Sequence, residues 1–128
     1  MQVVPFKQVD VFTARAFGGN PVAVVLDGEG LEPEAMQRIA RWTNLSETAF
    51  VLPPTTPEAS YRVRIFTPMS ELPFAGHPSV GSAHAVLESG QLRSHDGRLV
   101  QECAAGLLPM TVRGEGAKVR GSSALIRH

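Results

Sequence analysis

Two segments carry residues whose types and spacing suit proton transfer and anion binding. The first is Asn44-Leu45-Ser46-Glu47-Thr48-Ala49-Phe50, where Glu47 falls between a helix end and an apolar strand. Burial is expected there, and a carboxyl group in apolar surroundings has a raised pKa and exchanges a proton near neutral pH. The competing reading is an exposed loop glutamate, or one that caps a backbone amide. On local sequence alone that reading is the commoner outcome. The second segment is Phe74-Ala75-Gly76-His77-Pro78-Ser79-Val80-Gly81, a glycine loop running into a helix that Pro78 opens. The amides of Ser79, Val80 and Gly81 would then point out of the helix N-terminus and bind an anion, a substrate carboxylate or carbonyl oxygen. Gly76 and Gly81 allow close approach. His77, at the cap, is placed to orient a substrate or take part in proton transfer; a capping histidine with no chemical role is the alternative. The pattern is neither a phosphate-binding loop nor a dinucleotide fingerprint.

Other reactive or bulky side chains have plainer readings. His84 lies seven residues after His77, two helical turns on. The two backbones are then about 10 Å apart, too far to share one metal. His84 reads as a satisfied core histidine. The single cysteine, Cys103, sits in a strand pattern without a nearby basic residue and reads as a small buried residue rather than a nucleophile. Trp42 and Phe66 read as core. Glu71, in a loop before Pro73, reads as solvated, with a supporting acid at the site as the alternative.

These residues need elements to hold them. Val9 to Phe12 and the apolar run Pro21 to Leu26 read as strands, the second ending at the Asp27-Gly28 turn. The segment Phe17-Gly18-Gly19-Asn20 between them is a loop. Pro33 and Glu34 suit a helix first turn, and Met36, Ile39, Ala40 and Thr43 repeat at helical spacing, which predicts an amphipathic helix over 33–43. Thr48 to Leu52 is a short strand stopped by Pro53-Pro54. Tyr61, Val63 and Ile65 alternate with Arg62 and Arg64, a half-buried strand with its arginines toward water. The helix after Pro78 ends at Ser89-Gly90. Its side chains are small on most faces, which marks a helix enclosed by other elements. His95-Asp96-Gly97-Arg98 and Gly114-Glu115-Gly116 read as turns, with strands over 99–103 and 108–112 and a bend at Gly106. Six to eight strands and two helices predict an α+β chain whose mostly antiparallel, barrel-like sheet wraps the second helix.

The chain has 128 residues, enough for one compact domain. It is 43% hydrophobic and 19% charged, a globular composition. Twelve basic and twelve acidic residues are scattered without a basic run, which points to neither nucleic acid nor a membrane surface as partner. A lone cysteine permits no intrachain disulfide and fits a reducing compartment. The start lacks the apolar core of a signal peptide, and no apolar run approaches the ~20 residues of a membrane helix. A cytoplasmic protein is expected.

Three segments together resemble one family, the phenazine-biosynthesis isomerases of the PhzF-like type with a diaminopimelate-epimerase-like fold. They are Phe17 to Val25 (FGGNPVAVV), residues 36–51 (MQRIARWTNLSETAFV) and residues 64–90 (RIFTPMSELPFAGHPSVGSAHAVLESG). The similarity runs roughly over residues 3–112. The resemblance implies a barrel-like half around a central helix, two such halves facing across a cleft, and cofactor-independent isomerisation of a small carboxylated cyclic substrate, a dihydro-hydroxyanthranilate in the phenazine enzyme. It implies Glu47 as the acid and base, His77 as a catalytic partner, and Asn20, Gly76, Ser79, Val80 and Gly81 as substrate-binding positions. Related epimerases carry a cysteine in each half; here the signature loop has none, which disfavours a two-cysteine racemase.

The departure is length. The family's second half brings an aspartate, a second glycine-rich helix start and the other cleft wall. Residues 1–128 make a single N-terminal half-domain without them. A fragment, a homodimer that builds the cleft from two copies, and a complementary partner chain all fit, as does an inactive module that keeps the anion pocket without turnover. A homodimer or tight partner is expected, because the face that normally packs on the twin half would be apolar. Two copies would bring two Glu47 carboxylates close together and push one pKa upward.

Overall fold

The computed structural model describes residues 5–11, 20–90, 92, 97–113, 116–119 and 124–125; among these, side chains are described except at residues 10, 11, 20 and 77 and beyond 111. Of the expected loop Phe17-Gly18-Gly19-Asn20 only Asn20 is described, and it opens a strand instead of closing the loop; the His95-Asp96 and Gly114-Glu115 turn residues and most of the final segment also lie outside the described residues.

Among the described residues nine strands form one sheet. In chain order they are β1 (Phe6–Val11), β2 (Asn20–Val25), β3 (Glu47–Leu52), β4 (Tyr61–Phe66), β5 (Glu71–Leu72), β6 (Arg98–Cys103), β7 (Gly106–Arg113), β8 (Gly116–Val119) and β9 (Ala124–Leu125), with helices α1 (Pro33–Thr43) and α2 (Gly76–Glu88). The count exceeds the expected six to eight because β5 and β9 have two residues each, too short to show a period. The pairing β2–β3 is parallel, as is β4–β6, and the other six pairings are antiparallel. β5 and β6 share one edge of β4: β6 pairs with Tyr61 and Arg62, and β5 with Ile65 and Phe66.

The two helices lie against opposite faces of this sheet, and strand periodicity assigns the residues to each. On β3, Ala49 and Val51 face the interior cluster that includes Val80, Ala83 and Val86 of α2, while Phe50 and Leu52 face the cluster under α1. Strands buried on both faces read as continuous apolar runs, as Pro21 to Leu26 does. α2 packs against β1, β2, β3, β4, β6 and β8. Only small side chains allow such close enclosure, and Ser79, Val80, Ser82, Ala83, Ala85 and Val86 are all buried. The expected enclosed central helix is thereby confirmed. No helix among the described residues is long and apolar enough to cross a membrane.

α1 has the expected bounds, Pro33–Thr43, and buries Met36 and Ala40 against Val25, Phe50 and Phe66. The reading of Trp42 as core is corrected: its side chain is 85% exposed. Two residues beyond Ala40, at about 100° per residue, Trp42 points away from the stripe that faces the sheet. Trp42→Ser is therefore expected to change unfolding free energy by no more than about 0.5 kcal/mol. A loss above about 2 kcal/mol in urea titration would show that Trp42 is packed after all. Phe66 is core as expected, 3% exposed.

Gly28 lies where the chain leaves β2 and donates to the Val51 carbonyl at 2.8 Å. A Cβ there would stand 3.2 Å from Phe50 Cβ and 3.3 Å from the Val51 oxygen, a tight fit that a larger residue meets only if these neighbours shift by a few tenths of an ångström.

Candidate active site

Glu47 is delivered by a short turn. Asn44 ends α1 in the left-handed conformation, φ 57°, with its amide on the Ala40 carbonyl at 3.2 Å. Asparagine is among the few non-glycine residues that adopt this geometry at low cost. The chain then reverses, and Glu47 opens β3 beside Val22 of β2. The hydroxyls of Thr43 and Thr48 lie 3.0 Å apart and tie the helix end to the strand start. Glu47 is half-buried rather than enclosed, because it is the first residue of the strand and stands at the rim of the sheet.

The same rim holds the start of β2. β2 and β3 run parallel, so both begin there, with Asn20 opening β2. β4 ends there, Phe66 lying opposite Thr48. α2 points its C-terminal turn the other way: Glu88 pairs with Lys7 on β1, and Val86 lines a cavity with Leu26 and Leu52. A helix of 13 residues is about 20 Å long, so its N-terminus is directed toward the end of the sheet where β2 and β3 begin.

The structure corrects the start of α2. The helix begins at Gly76, not Pro78, which becomes its third residue. The Ser79 amide donates to the Ala75 carbonyl at 3.3 Å, and Val80 and Gly81 lie deeper in the helix. Their amides therefore belong to the helical ladder, and the donors without a place in that ladder are those of Ala75, Gly76 and His77. Pro78 misled the reading because proline is tolerated anywhere in a first turn, where its missing N–H is no loss. A Cβ built on Gly76 meets no atom within 4 Å, so the chain faces open space at that residue. The side chains of His77 and Asn20 lie outside the described residues.

Two cavities among the described residues lie elsewhere. One of about 180 Å³ sits at the far end of α2 among Leu26, Val51, Leu52, Pro53, Tyr61 and Leu92. The other, about 300 Å³, lies on the outer face where β5 and β6 meet β4. Neither includes Glu47 or the first turn of α2. Among the described residues no three His, Cys, Asp or Glu side chains gather in a way that would hold a metal ion.

His84, Cys103 and Glu71 have partners within the fold. His84 is half-buried, with Nε2 at 3.1 Å from Glu88 Oε2, one turn along α2. Cys103 is half-buried, its Sγ 3.4 Å from the Gly106 carbonyl. Glu71 lies on β5 instead of a loop and takes a two-point ion pair from Arg64, both bonds 2.7 Å. That hydrogen bonding holds the Arg64 pKa above its usual value despite partial burial.

Gln101 was passed over in the sequence, although the alternation Leu99, Gln101, Cys103 puts it on the inner face of β6. It is fully buried and meets Tyr61, whose pKa burial pushes well above its ordinary value, against the opposing effect of a hydrogen bond with Ser82. The chain has one tyrosine, so alkaline titration reads this group alone. A phenol with a raised folded pKa contributes stability below its unfolded pKa of about 10 and loses it as pH rises beyond that value. Tyrosinate absorbance is expected only together with loss of the far-UV circular dichroism signal. Titration near pH 10 in a folded chain would contradict the burial.

The mostly antiparallel sheet wrapped on a central helix is one half of a diaminopimelate-epimerase-like fold. Within that class the chain belongs to the phenazine biosynthesis-like protein family, whose model matches residues 9–125. It is 56% identical over 110 residues to antisense-enhancing sequence 1 of Schizosaccharomyces pombe, covering 86% of this chain and 37% of the relative. It is 45% identical over 111 residues to trans-2,3-dihydro-3-hydroxyanthranilate isomerase of Pseudomonas aeruginosa, covering 87% of this chain and 38% of the relative. The crystal structure of the PhzF-family phenazine biosynthesis protein of Bacillus anthracis superposes with a TM-score of 0.84 at 38% identity, over 93% of this chain and 40% of that one. The chain thus spans well under half the length of these relatives.

Proposed function

We propose that this chain is the carboxylate-bearing lobe of an isomerase that moves a proton between carbons of a small, cyclic, carboxylated substrate without a cofactor. The observation that carries the reading is Glu47 at the open start of β3, at the end of the sheet toward which the N-terminus of α2 is directed. Glu47 removes a proton from carbon and redelivers it elsewhere on the ring, with His77 assisting. The amides of Gly76 and His77, at the positive end of the helix dipole, hold the substrate carboxylate or the enolate-like charge, with Asn20 at the neighbouring strand start. The name of the Pseudomonas aeruginosa relative supplies the substrate class.

Glu47 lies at a rim instead of inside a cavity, so a productive cleft needs a second wall. A second lobe, on the same polypeptide or from a partner, or a second copy of this chain, would provide it and exclude water. A cytoplasmic, biosynthetic setting belongs to the same reading. The test is deuterium incorporation from heavy water into trans-2,3-dihydro-3-hydroxyanthranilate by the purified chain, with sedimentation at micromolar concentration alongside. Catalysed incorporation supports the isomerase. The open rim equally favours a second reading, a binding module. Calorimetric binding of the compound without incorporation, in a chain that sediments as a monomer, would replace the isomerase with the module.

A further inference from the structure

Four polar side chains are shut inside the sheet: Ser79 and Ser82 of α2, Tyr61 of β4 and Gln101 of β6. Ser79, Ser82 and Gln101 are 0% exposed and Tyr61 is 2% exposed. Their hydrogen bonds form one connected set. Tyr61 donates its hydroxyl proton to Gln101 Oε1 at 2.9 Å. The Ser82 hydroxyl shares its proton between Gln101 Oε1 at 3.2 Å and the Ser79 carbonyl at 3.0 Å. Gln101 Nε2 donates to Ser79 Oγ at 2.8 Å, and Ser79 Oγ donates to the Ala75 carbonyl at 2.7 Å. Ala75 is the N-cap of α2.

Stability does not call for such a set. Apolar side chains of similar volume would fill the space without desolvating four polar groups, whereas a fully satisfied polar network also rigidifies and orients the elements that it joins. The direction here is specific. Two strands, through Tyr61 and Gln101, hold one serine hydroxyl against the carbonyl four residues before it. A serine bonded back to the carbonyl at i−4 sets the bend of the turn it spans. That turn contains Gly76 and His77.

We infer that Gln101 is a positioning residue: acting through the Ser79 hydroxyl and the Ala75 carbonyl, it fixes the direction in which the Gly76 and His77 amides leave the first turn of α2. The inference rests on the proposed role of that turn in holding a carboxylate. Gln101 touches neither the open rim nor any reacting atom; its effect passes through the helix start.

The experiment compares the wild-type chain with two variants by melting temperature, amide hydrogen exchange at residue 79 and titration with anthranilate. The first variant combines Tyr61→Phe, Ser79→Ala, Ser82→Ala and Gln101→Leu, so that no polar partner is left stranded. It is expected to melt within a few degrees of wild type, yet to lose at least tenfold in protection of the residue-79 amide and at least tenfold in anthranilate affinity. The second, Ser79→Ala alone, deletes one hydroxyl, keeps Tyr61 and Ser82 on Gln101, and serves if the first does not fold; the same loss of protection is expected. Wild-type protection at residue 79 in either folded variant would overturn the inference and leave the network as core filling. Failure of the wild-type chain to bind anthranilate would instead remove the proposed role of the helix start, while the amide exchange still decides the positioning.

Discussion

Glu47→Gln is expected to lower deuterium incorporation into trans-2,3-dihydro-3-hydroxyanthranilate by about 10²- to 10⁴-fold, the usual range for loss of a general acid–base group. Glutamine matches the shape of the side chain but neither takes nor delivers a proton at neutral pH. The strand start should hold, because Glu47 pairs with Val22 through the backbone and the turn before it is set by Asn44 and by the Thr43–Thr48 hydroxyl pair. Unfolding free energy is therefore expected to move by no more than about 1 kcal/mol. Anthranilate affinity should stay within a few-fold of wild type, since the proposed carboxylate site lies on α2. Incorporation at the wild-type rate would remove Glu47 from the mechanism. Lost incorporation together with lost binding would assign Glu47 to substrate binding.

Phe50→Ala is expected to destabilise the chain by about 3–5 kcal/mol, a large share of the 5–15 kcal/mol typical of a domain. Phe50 is 0% exposed and packs with Val25, Met36, Ala40 and Phe66 under α1. Its ring meets Phe66 edge to face, centroids 5.5 Å apart at 88°, a geometry that adds roughly 0.5–1.5 kcal/mol beyond area burial. This second core is small, so the cavity has few neighbours able to collapse into it. α1 would lose its main anchor, and with it the Asn44 turn that sets Glu47 in place. Urea titration at constant slope measures the change, and a loss below about 1 kcal/mol would mean that α1 is held by something other than this cluster.

The elements near Glu47 were legible in the chain because they follow local rules. The α1 stripe of Met36, Ile39, Ala40 and Thr43 has a helical period, and the structure returns the same bounds, 33–43. Pro21 to Leu26 and Tyr61 to Ile65 showed as strands because burial on two faces or on one leaves a direct imprint on residue type. The small side chains after Pro78 announced an enclosed helix, and the three motif segments pointed to the family. Where the reading slipped, a local rule had two solutions. Proline suits any position in a first turn, so Pro78 did not mark where α2 begins. Trp42 was judged by size, when its angular place on α1 puts it in water.

What lay beyond the sequence was decided by pairing between distant segments. Parallel alignment of β2 with β3 brings the starts of two strands, Asn20 and Glu47, to one rim, and the packing of α2 on strands from both halves of the chain sets where its first turn lies. No local pattern encodes that register. The joining of Tyr61, Ser79, Ser82 and Gln101 likewise depends on β6 lying beside β4 with Gln101 opposite Tyr61. A polar residue in a strand gives no sign of its partners, because hydrogen bonds are made across the sheet and not along the chain. The amino acids set which faces are buried; the pairing of strands sets which buried groups meet.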